Sequence, residues 1–114
     1  MPRVVLVVDD DPDVLDLTTS YLEELGCEVI TATRASEALA KLAADERIDV
    51  LITDVEMPEM DGYELAEKAK RVRAGLQVIA LSGGAEGKSD LPLVRKPFLQ
   101  QDLARTMEKT TGLC

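Results

Sequence analysis

Continuous apolar runs alternate along this chain with segments whose apolar positions recur every three or four residues. Arg3 to Val8 (R-V-V-L-V-V) is unbroken and rich in β-branched residues, the pattern of a strand covered on both faces of a parallel sheet. It stops at Asp9-Asp10-Asp11-Pro12, where Asp11 suits a helix N-cap and Pro12 the first helical position. Val14, Thr18, Tyr21, Leu22 and Leu25 then fall at helical spacing, and Gly26 suits the stop. Residues 28–33 predict a second strand. Residues 35–44 predict a helix with Ala38, Leu39 and Leu42 inward, and residues 48–53 a third strand ending at Asp54. After a loop at 55–61, Asp61-Gly62-Tyr63-Glu64 has capping-box spacing for a helix running to about Ala74. Residues 76–82 and 91–95 predict two more strands. Leu99, Leu103 and Met107 mark one face of a last helix, which lacks a good cap because Leu99 follows Phe98.

Strand and helix alternate throughout, which predicts one α/β domain over 1–114 with a doubly wound parallel sheet. One link departs from the rule. Only residues 83–90, three of them glycine, separate the fourth and fifth strand patterns. A parallel crossover with a helix needs at least about 10–12 residues. An irregular, mobile connection is expected there, with the fourth helix missing or vestigial.

Composition narrows the function. The 114 residues carry 22 acidic and 13 basic side chains and no histidine, a net charge of −9. That balance repels phosphate backbones, so direct nucleic-acid binding is not expected. The lack of histidine excludes Ser-His-Asp and Cys-His catalysis and histidine-ligated zinc. Cys27 and Cys114 lie far apart and outside any C-x-x-C pattern. A metal knuckle or redox pair is not expected, and a reducing compartment is the simpler reading, with Cys27 a small hydrophobe at a strand end. No apolar run reaches the roughly 18 residues of a membrane span. Met-Pro-Arg leads straight into a strand pattern instead of a signal peptide, so a cytoplasmic location is expected.

The strand ends hold the chemistry. Asp9-Asp10, Asp54, Ser82 and Lys96 follow the first, third, fourth and fifth strands. In open α/β sheets these carboxyl ends form the ligand crevice. Carboxylates about 5 Å apart repel by about 3 kcal/mol per pair at an effective dielectric near 20. A divalent cation compensates, and an oxygen-only donor set favours magnesium. Metal, ammonium and hydroxyl around a carboxylate describe a place for a transferring phosphoryl group, with Asp54 the nucleophile.

V-V-D-D-D-P (7–12), L-I-T-D-V-E-M-P-E-M-D-G (51–62), A-L-S-G (80–83) and R-K-P-F (95–98) together resemble the receiver domain of two-component response regulators. The resemblance implies a flavodoxin-like sheet of five parallel strands in the order 2-1-3-4-5. It implies Asp54 as phosphoacceptor, and Asp9 and Asp10 as the metal-binding pair, with Asp10 preferred as direct ligand. Glu56 falls where a backbone carbonyl completes the magnesium site. Ser82 matches the residue that bonds the phosphoryl group, Lys96 the lysine beside it, and Lys96-Pro97 a cis bond. A histidine kinase or histidine phosphotransfer protein is the implied donor, and a downstream protein the target. Phosphorylation is expected to draw Ser82 inward and shift the region between the fourth and fifth strands.

The chain departs from the family pattern at Leu93, where an aromatic switch residue is usual, and at the short 83–90 link. Two other readings compete. A magnesium phosphatase of the haloacid-dehalogenase kind would use Asp9 and Asp11 as D-x-D, but leaves M-P-E-M-D-G unexplained. A phosphorylation-independent interaction module leaves the acid pair, Asp54, Ser82 and Lys96 without a purpose. Asp11 and Asp13 read as solvated caps. Phe98 is expected to pack beneath the site, and Glu59 and Met60 to lie exposed in the loop beside Asp54.

Overall fold

The computed structural model describes residues 3–83 and 91–112. Its elements run β1 (Val4–Val8), α1 (Pro12–Glu24), β2 (Glu28–Ala32), α2 (Ala35–Ala44), β3 (Ile48–Asp54), α3 (Gly62–Val72), β4 (Gln77–Ser82), β5 (Leu93–Arg95) and α4 (Gln100–Thr111). The strands form one sheet in the order β2-β1-β3-β4-β5, and each neighbouring pair is parallel. This is the expected flavodoxin-like arrangement, with four helices among the described residues.

Alternate residues of a strand face opposite sides of the sheet, so the apolar runs feed two cores. Val4, Leu6, Val8 and Leu51 pack with Ala35, Ala38 and Leu42 of α2 and with Leu65, Ala66 and Ala69 of α3. Val5, Val7, Val50, Ile52, Ile79 and Leu81 pack with Leu15 and Leu22 of α1 and with Leu103 and Met107 of α4. Each fully buried leucine, isoleucine or valine contributes about 1.5–3 kcal/mol relative to exposure. The two layers hold β1, β3 and β4 rigidly, and with them the residues at their carboxyl ends.

Several boundaries shift from the sequence pattern for identifiable reasons. α3 stops at Val72, where the backbone of Arg73 turns extended, and the Arg73 guanidinium donates to the carbonyls of Leu42, Asp45 and Ile48. β5 begins at Leu93, two residues later than the apolar pattern suggested. Leu99 is not on the inner face of α4: it is 59% exposed, whereas Leu103 and Met107 are fully buried. The start of that helix is nevertheless satisfied, since the Asp102 carboxylate accepts the Leu99 N–H at 2.9 Å. Gly26, at φ +95, ends α1 as expected.

Cys27 is buried as expected of a small hydrophobe, but it is joined in a disulfide, against the expectation that the cysteines form no redox pair. Among the described residues no helix lies between β4 and β5. Residues 84–90, and with them the expected mobile connection, lie outside the described residues. No described helix is long and apolar enough to cross a membrane.

Candidate functional site at the carboxyl edge of the sheet

The central strands end side by side. Beyond β1, the Asp9 N–H still donates to the Ala32 carbonyl at 3.2 Å, so Asp9 keeps its place in the sheet. Its side chain is wholly buried, and Oδ1 accepts the Asp11 N–H at 2.9 Å. Asp10 is exposed. Asp54, the last residue of β3, is 6% exposed, and its Oδ1 accepts the Glu56 N–H at 3.3 Å. Asp9, Asp10 and Asp54 each offer a carboxylate oxygen, and these oxygens lie within 4.8 Å of one another.

Lys96 reaches into this cluster from the other side. Its N–H donates to the Ser82 carbonyl at 2.7 Å, which extends the β4–β5 ladder by one residue. The Lys96-Pro97 bond is cis, in line with the expectation. The ammonium sits 3.1 Å from Asp9 Oδ2 and 3.1 Å from Asp54 Oδ1, with its side chain 19% exposed. Phe98 is buried in the core layer of α1 and α4 and meets Tyr21 edge-to-face, with ring centroids 6.1 Å apart. Ser82 ends β4 as a buried hydroxyl in the strand that pairs with β3, next to Leu81, the partner of Asp54.

These neighbours perturb two titrations. Burial raises the Asp54 pKa above the ordinary carboxylate value, and the Asp9 charge adds to the rise. Lys96 and the Glu56 N–H oppose it without cancelling it. Burial disfavours the Lys96 ammonium, but hydrogen bonds and charge from Asp9 and Asp54 outweigh it and hold its pKa above the usual lysine value.

The donor set fits a magnesium ion. It consists of carboxylate oxygens, with neither nitrogen nor sulfur, and lies within the reach of one small hard cation. Three carboxylates and one ammonium leave two negative charges, which a divalent ion balances.

The loop after Asp54 is shaped by contacts that the sequence motif did not reveal. The Val55 N–H donates to the Leu81 carbonyl at 2.9 Å, and the Gly62 N–H returns to the Val55 carbonyl at 2.8 Å. A Cβ at Gly62 would collide with the Asp54 carbonyl oxygen, so only glycine fits after Asp61. Asp61 caps α3 by accepting the Glu64 N–H at 2.8 Å. Glu59 is exposed, as expected, and also binds Ser36 of α2 through both carboxylate oxygens. Met60 is partly buried against the core, not fully exposed. Asp11 is exposed and caps α1 by accepting the Asp13 N–H at 3.0 Å.

Comparison with known proteins agrees with this geometry. The family model described as the response regulator receiver domain matches residues 5–94. "Response regulator SaeR" of Staphylococcus aureus (strain USA300) is 31% identical over 107 residues, covering 87% of this chain and 46% of that protein. The chain thus spans about half the length of the curated relatives it matches. Among solved structures, a CheY-like response regulator receiver domain protein from Methanospirillum hungatei JF-1 superposes with TM-score 0.86 at 32% identity, covering 96% of this chain and 93% of that one. The Vibrio cholerae chemotaxis protein CheY4 superposes with TM-score 0.88 at 28% identity, covering 96% and 98%.

Proposed function

Since this chain belongs to the response regulator receiver domain family, we propose that it accepts a phosphoryl group on Asp54 and acts as a signalling switch. The observation that carries this reading is the placement of Asp54: buried, 3.1 Å from the Lys96 ammonium, and clustered with the carboxylates of Asp9 and Asp10. The donor is a phosphohistidine on a histidine kinase or a histidine phosphotransfer protein, and the recipient of the signal is a downstream protein target. Residues 1–114 form one receiver domain that operates in the cytoplasm.

The carboxylates of Asp9, Asp10 and Asp54 and the backbone carbonyl of Glu56 would hold magnesium, which supplies positive charge for the phosphoryl oxygens when bound. An Asp54 carboxylate oxygen attacks phosphorus in line, forming the acyl phosphate as the phosphorus–nitrogen bond of the phosphohistidine breaks. The Lys96 ammonium, already held between Asp9 and Asp54, turns toward the new phosphoryl oxygens. The Ser82 hydroxyl donates to one of them and draws the end of β4 inward. Leu93 on β5 replaces the aromatic residue usual there, so the switch runs through Ser82 and the end of β4 without an aromatic rotation. Water later hydrolyses the acyl phosphate. The chain catalyses only its own phosphorylation and dephosphorylation and turns over no separate substrate.

Incubation with acetyl phosphate tests the reading. Magnesium-dependent incorporation of one phosphoryl group, lost on chelation and in Asp54→Asn, is the expected result. Undiminished incorporation in Asp54→Asn overturns it. Turnover of a generic phosphate ester would point to the phosphatase reading instead.

A further inference from the structure

The loop between β3 and α3 has its two ends fixed within β3 and α3, but its middle is held from a different helix. α2 begins after Arg34, an extended residue whose side chain makes no capping bond. A helix start leaves its first N–H groups without intrahelical partners. The Ser36 N–H finds one in Glu59, 23 residues further along the chain, which accepts it at 3.0 Å through Oε1. Glu59 Oε2 accepts the Ser36 hydroxyl at 3.2 Å. A carboxylate here also meets the positive end of the α2 dipole. The Ser36 backbone N–H, then its hydroxyl, and the nearby Arg34 charge hold the Glu59 carboxyl below the usual range.

An open pocket of about 350 Å³ is lined by Asp10, Thr33, Arg34, Ala35, Met57, Pro58 and Glu59. The loop therefore spans open space beside Asp10 at the point where Glu59 ties it to α2. Glu56 lies between Asp54 and that tie.

We infer that Glu59 is a positioning residue for the metal site: by capping α2 it holds the loop, and with it the Glu56 backbone, against the acid cluster. The inference rests on the magnesium reading proposed above. Metal binding and the α2 cap are then coupled, and coupling is reciprocal. Whatever Glu59 contributes to metal affinity, metal returns to the Ser36–Glu59 contact.

The test uses the full chain and MgCl2 alone. Titration calorimetry on wild type, Glu59→Ala and Glu59→Gln measures the metal dissociation constant. NMR hydrogen exchange follows the Ser36 amide with and without metal. Glu59→Ala is expected to weaken magnesium about fivefold, the low end of ordinary coupling between sites. Glu59→Gln, which keeps an oxygen acceptor, recovers most of that loss. In wild type, saturating magnesium slows Ser36 exchange by a similar factor, and Glu59→Ala abolishes the slowing. A lowered melting temperature with magnesium affinity within twofold of wild type identifies Glu59 as a local helix cap and overturns the inference. So does wild-type protein that binds magnesium without any slowing at Ser36, a result that needs no variant to fold. Wild type that binds no magnesium overturns the metal reading itself, and the coupling with it.

Discussion

Lys96 and Asp9 stand 87 positions apart in the chain, yet the lysine Nζ lies 3.1 Å from the wholly buried Asp9 carboxylate. The same ammonium lies 3.1 Å from Asp54. It therefore separates two buried acids that would otherwise face each other, in the same crevice that Asp10 borders.

Replacing Lys96 by alanine leaves that pair uncompensated. Removing one partner of a buried ion pair costs about 3–5 kcal/mol, and the part-exposed ammonium brings the expectation down to about 2–3 kcal/mol at neutral pH. Urea unfolding without metal measures it, and added magnesium should restore part of the loss. Metal-free Lys96→Ala as stable as wild type would mean that the contact carries no net energy.

Asp54 predicts the opposite sign. Its folded pKa lies above the ordinary carboxylate value, chiefly because the group is buried and Asp9 is near. The folded state therefore holds its proton to higher pH than the unfolded chain does. That contribution to stability is present below the unfolded pKa and is lost as pH rises through the folded one. Metal-free Asp54→Asn, which cannot ionise, should melt higher than wild type at pH 7. The difference should shrink as pH falls toward the carboxylate range, and a pH series of thermal melts reads it directly.

Gly62→Ala should destabilise despite alanine's better helix propensity. Propensity favours alanine over glycine by about 1 kcal/mol within a helix, but here the added methyl meets the Asp54 carbonyl oxygen. Relief requires moving the backbone of α3 or of Asp54, with an expected net loss of about 1–3 kcal/mol. Magnesium-dependent labelling by acetyl phosphate should fall along with it.

Magnesium should raise the melting temperature in proportion to its site occupancy. At 100 times the dissociation constant the gain is about 2.7 kcal/mol, and chelation reverses it. Asp10 is exposed and so contributes little to the core. Asp10→Ala should therefore keep the metal-free stability within about 0.5 kcal/mol while losing the magnesium-induced rise. An unchanged rise would remove Asp10 from the ligand set.

The legible caps are the local ones. Asp11 accepts from Asp13 and Asp61 from Glu64, two and three residues away, so each could be read from adjacent residues. The α4 cap works in reverse, with Asp102 reaching back to the Leu99 N–H, and an apolar N-cap conceals it. An acid three positions into an uncapped helix is the signal that could have found it. Leu99 itself fits the helical stripe by spacing but stands in solvent, as the extended N-cap residue before the first turn. The cap of α2 by Glu59 had no local signal, since its partner is 23 residues away. Likewise the acid in D-G announced a helix start, but the close approach of Gly62 to Asp54 depends on how α3 lies against β3.

The order and type of the elements, and the acids and lysine that end the strands, follow from residues within a few positions of one another. Apolar period, β-branching and capping chemistry act over one or two turns, so sequence alone determines them. Packing decided the rest: burial of Asp9, the double contact of Lys96, the raised pKa of Asp54 and the tie from Glu59 to Ser36. Charge interaction depends on separation and on exclusion of water, and both are set only when the strands assemble side by side. The net charge of −9 therefore says that acids are in excess, while the fold determines which three of them share one site.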